Sequence, residues 1–194
     1  MRRCIRRLDV WLRALEGVFE FTSSPAGIFR VQITRARKPV RVGEVAISPG
    51  QEILDLHLWN EHVPQIPASG ADLAWAASMQ RRVLESLRDL ARVMQRESRY
   101  RDVRMVRALT VLVGAGEESG TRFALRLGFQ VAPYRGALGR FGDFWENFYT
   151  WWLMWAYNPA SVRRRSLVGL RRGVMWMETG EFLRRFGDPD SPPG

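Results

Sequence analysis

Residues 53–59 read Ile-Leu-Asp-Leu-His-Leu-Trp (ILDLHLW), and their alternation decides how the chain is built. A period of two puts Leu54, Leu56 and Leu58 on one face of a strand and Asp55 and His57 on the other. Upstream, Ile28–Arg35 (IFRVQITR) is rich in β-branched residues and partly alternating, which predicts a second strand. Lys38-Pro39 makes a turn, Val40–Ile47 continues as one or two short strands, and Ser48-Pro49-Gly50 is a strong turn signal. Three strands in series predict an antiparallel meander.

Downstream, a proline-punctuated loop from Val63 to Gly70 leads into the longest periodic stretch, from about Asp72 to Arg99. Leu73, Ala76, Met79, Val83, Leu87, Leu90 and Met94 trace its expected buried face. Met105–Val113 reads as a buried strand ended by Gly114-Ala115-Gly116, and Glu117–Leu127 as a short helix capped by Gly128. Phe129–Ala132 is a short strand, Phe141–Tyr157 is helical in length, and Asn158-Pro159 stops it. A strand at Val174–Met177 precedes a last helix, Gly180–Phe186. At the other end, Ile5, Leu8, Trp11, Leu12, Leu15, Val18 and Phe19 recur every three or four residues, a basic amphipathic helix within residues 1–22. There is no internal repeat and no linker, so residues 1–187 form one α/β (α+β) domain with a central, mostly antiparallel mixed sheet flanked by helices. Residues 188–194, rich in Pro, Gly, Asp and Ser, are expected to be a disordered tail.

Composition narrows the chemistry. The 194 residues carry 30 basic and 20 acidic side chains, a formal net charge of +10, with Lys38 the only lysine. That excess points to a polyanion: an anionic headgroup, a phosphorylated small molecule or a nucleic acid. One cysteine, Cys4, excludes an internal disulfide and a thiolate metal site, and two histidines leave no room for a histidine-rich centre, so no metal is expected. Asp9, Arg13 and Glu16 interrupt the region behind the basic start, so no signal peptide is predicted. No stretch reaches the roughly 17–25 apolar residues a bilayer span needs. Cytoplasmic residence is the default, with peripheral attachment at the inner face of the membrane as its extension.

Two constellations stand out. Asp55, His57, Asn60, Glu61 and His62 cluster at the end of the third strand, where a histidine beside carboxylates can serve as a general base or ligand group. The alternative is a solvent-facing strand with ordinary polar alternation. The segment 141–157 holds nine aromatics in seventeen residues, among them Trp145, Trp151, Trp152 and Trp155, and Arg163-Arg164-Arg165 follows. Aromatic rings with polar tips beside cations suit a membrane surface or a partner groove, a second copy of the chain included; a core helix packed on several sides is the other reading. A nucleophilic enzyme has little support: there is no G-x-S-x-G elbow, and Gly114-Ala115-Gly116 is neither a P-loop nor a dinucleotide fingerprint. Nucleic acid is disfavoured because the arginines are spread along the chain with no helix-turn-helix, RNP or zinc-finger pattern.

Two family resemblances follow. The order meander, long helix, strand, helix, short strand, with Arg122–Phe129 (RFALRLGF), is similar to the core of GNAT-type acyltransferases, which implies acetyl-CoA as a cofactor. The best match to that family's phosphate-binding segment is Gln65–Gly70, where Ala68 stands for the first glycine and Pro67 removes an N–H donor. More of the chain resembles the YkoP-like domain: Ile28–Arg35, His57–Glu61, Leu127-Gly128-Phe129 and Val174–Gly187 (VMWMETGEFLRRFG). That bacterial domain occurs alone or fused to polysaccharide-deacetylase modules, which implies a cell-envelope context. The resemblance carries over no catalytic residue; within the strand-end cluster and the matching segments, His57 and Glu61 are the catalytic candidates, with Asp55, Asn60, Trp176 and Glu178 as ligand-binding candidates. The expected function is an envelope-associated module that needs no cofactor and binds an anionic lipid, a lipid-linked saccharide or a partner protein. An acyl-CoA-dependent N-acyltransferase and a nucleic-acid binder are the alternatives.

Overall fold

The computed structural model describes residues 17–42, 45–59, 61–67, 70, 72–110, 118–134 and 173–189. Within them lie seven strands and three helices: β1 (Phe29–Arg35), β2 (Val40–Val42), β3 (Val45–Ile47), β4 (Glu52–Leu58), α1 (Leu73–Arg96), β5 (Val103–Thr110), α2 (Glu118–Arg126), β6 (Gln130–Pro133), β7 (Gly173–Glu178) and α3 (Thr179–Phe186). Five strands form one sheet in the order β1-β4-β5-β7-β6. Its β1–β4, β5–β7 and β6–β7 pairs are antiparallel and β4–β5 is parallel, which is the mixed, mostly antiparallel sheet expected. The parallel pair needs a crossover, and α1 supplies it.

The expected meander is reordered. β2 and β3 pair only with each other, as a separate two-stranded ribbon, so β4 returns to lie directly against β1. The cause is turn chemistry: Lys38-Pro39 and Ser48-Pro49-Gly50 bracket a short excursion, and Ala36 and Gln51 then rejoin by backbone hydrogen bonds. The N-terminal end also departs from expectation. Gly17 has φ 72°, and Phe19 bridges Val31 in antiparallel fashion, so the helical periodicity stops before the positions it had been extended to. The stretch 1–16 lies outside the described residues.

The alternation read in β4 holds. Leu54 and Leu56 enter the main core with Val31 of β1, Val106 and Ala108 of β5, and Val83, Leu87, Leu90 and Met94 of α1. Ile53, on the opposite face, joins a smaller cluster with Ala36, Ile47, Met105, Val174 and Trp176. The sheet therefore buries apolar side chains on both faces near Ile53 and Leu54, as a central parallel pair requires.

α1 starts where Asp72 accepts a hydrogen bond from the Trp75 N–H at 2.7 Å, an N-cap. Its first turns were expected to be core; Met79 does pack against it, but Leu73 is 90% exposed, Ala76 is exposed, and full burial begins at Val83. Length explains this: 24 residues of helix span about 36 Å, whereas a seven-residue strand such as β4 spans about 23 Å, so the helix overhangs the sheet. α2 ends in a Schellman motif, with Gly128 N–H donating to Leu125 O and Phe129 N–H to Ala124 O. Gly128 has φ +92°, which is why a glycine stands between Leu127 and buried Phe129. Asp188, just past α3, exchanges two hydrogen bonds with Gln95 of α1.

Two buried polar groups differ in their satisfaction. The Tyr100 hydroxyl has no hydrogen-bond partner, and burial pushes its phenol above the ordinary tyrosine range. Ser86, fully buried on α1, instead accepts the Ile28 N–H at 2.9 Å and so fastens the helix to the entry of β1. Ser86→Ala should lower the unfolding free energy by about 1–3 kcal/mol, because the Ile28 N–H is left buried and unpaired. A shifted urea midpoint at unchanged slope would show this, and an unmoved midpoint would refute it.

Candidate functional site

The second face of the sheet carries a polar row that crosses every strand. In register, Gln32 of β1 lies opposite Asp55 of β4, Asp55 opposite Arg107 of β5, Arg107 opposite Trp176 of β7, and Trp176 opposite Gln130 of β6. Asp55 is 8% exposed, and burial of a carboxylate demands a partner. Arg107 provides it with both arms of its fork: Nε donates to Oδ1, and Nη2 donates to Oδ2 at 2.5 Å. Thr34 adds a third donor, its hydroxyl reaching Oδ2 at 3.0 Å. The Arg107 guanidinium also lies 5.3 Å from the Trp176 ring, which is buried in the smaller cluster.

His57 follows on the same face. Its Nε2 is 3.2 Å from Gln32 Oε1, so this ring nitrogen carries the proton and the glutamine oxygen accepts it. The carboxylate of Asp55 thus turns along the row to Arg107 and the imidazole turns toward β1.

A second cluster forms around buried Arg30, opposite His57 in the β1–β4 register. Its Nε and Nη2 donate to Glu20 Oε1 at 3.2 and 2.9 Å, and its Nη1 to Glu61 Oε2 at 3.4 Å. The same guanidinium lies 4.3 Å from the Trp59 ring, and Trp59 stacks on His62 at 3.8 Å. His62 is fixed in turn, since its Nδ1 donates to Gly27 O at 2.7 Å and its own carbonyl accepts from Arg82. Glu61 is therefore one acceptor of a clamp that joins the chain before β1 to the chain after β4.

The remaining candidates are placed as follows. Glu178 is the exposed last residue of β7, at the start of α3. Asn60, Trp145, Trp151, Trp152, Trp155 and Arg163-Arg164-Arg165 lie outside the described residues. Among the described residues no group of three or more His, Cys, Asp or Glu side chains could hold a metal ion. No helix among them is long and apolar enough to cross a membrane.

Sequence reasoning missed Arg107, Arg30, Gln32 and Thr34, which bind the residues it singled out. A signal was there: an arginine inside a stretch read as a buried strand needs an anionic partner, and Asp55 inside another strand needs a cation. What was missing is the register that brings positions 55 and 107 together.

Fold and site together define a mixed α/β domain whose sheet is locked on one face by arginine-centred polar clusters. The chain belongs to the YkoP domain family, whose model matches residues 2–186. No curated protein and no solved structure matches it.

Arg30→Met should free the segment before β1 while leaving the core intact. Glu20 and Glu61 are partly exposed and can hydrate, so the cost is about 1 kcal/mol. Hydrogen exchange should quicken at the Phe19 and Val31 amides, which bond each other's carbonyls, and stay slow at Leu54 and Val106. Equal protection at Phe19 in both proteins would contradict the clamp.

Proposed function

We propose that this domain is a non-catalytic binding module of the bacterial cell envelope that engages an anionic partner, an anionic lipid or lipid-linked saccharide before a protein. One observation supports the reading: the acid–base groups of the polar row and of the Arg30 cluster are engaged with neighbouring side chains. Asp55 is taken by Arg107 and Thr34, His57 by Gln32, and Glu61 by Arg30. A general base needs an acceptor directed at a substrate, and these are directed at neighbouring strands. The formal net charge of +10 supports an anionic partner. The envelope context rests on the resemblance to domains found beside polysaccharide-deacetylase modules. The tryptophans of 141–157 and the arginines 163–165 belong to the same proposal through their composition.

A second reading, the GNAT-shaped acyltransferase, has one observation in its favour. The β4–β5 ladder runs only as far as Leu56 and Ala108, although β4 continues to Leu58 along β1 and β5 to Thr110 along β7. Two parallel strands that part at their carboxyl ends leave a crevice of the kind in which open α/β sheets bind ligands. Against it stands the start of α1, where the Asp72 carboxylate already takes the Trp75 N–H and would repel a pyrophosphate.

Flotation with phosphatidylcholine vesicles, with and without phosphatidylglycerol, separates the readings. Binding should require the anionic lipid and be lost at high salt. Acetyl-CoA at millimolar concentration should leave the melting temperature unchanged. A ligand at a hundred times its dissociation constant would add about 2.7 kcal/mol, so a clear upward shift would favour the transferase and overturn the non-catalytic reading.

A further inference from the structure

Among the described strands, β2 and β3 pair with nothing but each other. Each has three residues, and a two-stranded ribbon is marginal in water unless it packs on something else. Its packing is slight. Val40 and Ile47 stand directly opposite in the antiparallel register and so share one face. Ile47 is 1% exposed and Val40 is half-buried, whereas Lys38, Pro39, Arg41, Ala46, Ser48 and Pro49 are exposed. Val40 and Ile47 pack into the smaller apolar cluster on the second face, with Ile53 of β4, Met105 of β5, and Val174 and Trp176 of β7. Of the described members of that cluster only these two come from the ribbon; the others lie in the sheet or at its strand ends.

The attachment is equally narrow. The Ala36 N–H donates to Gln51 O at 2.9 Å and the Gly50 N–H to Ala36 O at 2.8 Å, which closes the excursion at its base. The turn beside that neck is stiff: the Ser48 N–H donates to Gln51 Oε1 at 2.7 Å, and Pro49 has its φ fixed. Among the described residues, no hydrogen bond or ion pair beyond the neck ties 37–49 to the five-stranded sheet. We infer that the ribbon is a hinged flap, which turns about Ala36 and Gln51 as a unit while the five-stranded sheet stays folded. Lifting it withdraws two side chains and breaks no strand pairing of that sheet, so it costs less than any event that parts β4 from β5. It uncovers an apolar surface floored by Ile53, Met105, Val174 and Trp176. Opening needs no ligand, so it holds whether or not anionic vesicles are the partner.

Thiol labelling of the full-length chain reads the motion, because Cys4 is the single native cysteine and Cys4→Ser removes it. Met105 and Val106 are neighbours on β5 that face opposite sides of the sheet, the first in the ribbon's cluster and the second in the main core. Both are buried, at 1% and 0% exposure. In the Cys4→Ser background, Met105→Cys should react with a water-soluble disulfide reagent about tenfold or more faster than Val106→Cys. Its rate should depend little on urea, since a local opening exposes little surface, whereas the rate at position 106 should climb steeply. Val174→Cys is nearly isosteric and gives the same reading where Met105→Cys does not fold. Adding Ile47→Ala should speed labelling at position 105 or 174 by about thirtyfold, as the loss of a buried isoleucine anchor requires. Equal rates and equal urea slopes at positions 105 and 106 would mean that the ribbon leaves only with the whole sheet, and would overturn the flap. Fast labelling at position 105 that Ile47→Ala does not change would also overturn it, because something other than the ribbon would then be uncovering this face.

Discussion

The ion pair between Asp55 and Arg107 joins the two central strands of the sheet, β4 and β5. Among the described strands these are the only ones brought together in parallel, and their contact depends on a crossover through α1 rather than on a tight turn. Such a pairing is slow to find and has no local turn to fix its register. A charge on each strand, satisfied only when position 55 faces position 107, penalises a shifted alignment by leaving a buried carboxylate unpaired. The rest of the second face follows from that alignment. Gln32 and Thr34 of β1 and Trp176 of β7 take their places as neighbours of the fork, and the small apolar cluster around Ile53, Met105 and Val174 closes beside it.

The same constraint explains what the sequence reveals and what it conceals. Alternation in ILDLHLW is a local signal and gives the two faces of β4 correctly, because Leu54 and Leu56 are core and Asp55 lies opposite. The long period of α1 and the Leu127-Gly128-Phe129 stop are also local, and the Schellman hydrogen bonds account for the glycine. Pairing is not local. Nothing within a few residues of Asp55 indicates Arg107, so a buried structural carboxylate looks like a ligand-binding candidate. The exposure of Leu73 is hidden for a related reason: periodicity shows which side of a helix is apolar but not where the sheet beneath it ends. The ribbon β2–β3 was legible as strands, and its exclusion from the main sheet was not, since the choice of partner for β4 is made by β1.

Among the candidate residues, Asp55 and Trp176 are buried, His57 is half-buried and Glu61 is exposed, yet Asp55, His57 and Glu61 all bond neighbouring side chains. Asp55 and His57 tie neighbouring strands together and Glu61 holds Arg30, while Arg81, Arg88, Arg92 and Arg96 of α1 are exposed. This division fits a module that presents a surface better than one that transforms a substrate. It also accounts for a chain with ten more basic than acidic groups whose described acidic side chains so often serve its own arginines.

The central claim is that the Asp55–Arg107 pair is architectural. A double-mutant cycle with Asp55→Asn, Arg107→Gln and the double variant, read by urea unfolding and by vesicle flotation on the same samples, tests it directly. Each single change should cost about 2–4 kcal/mol, reduced from the fully buried case by the partial exposure of Arg107. The double variant should cost little more than the worse single one, and the fraction that remains folded should float as the wild type does. Three variants as stable as the wild type that have lost vesicle binding would contradict the account and make the pair part of a ligand site.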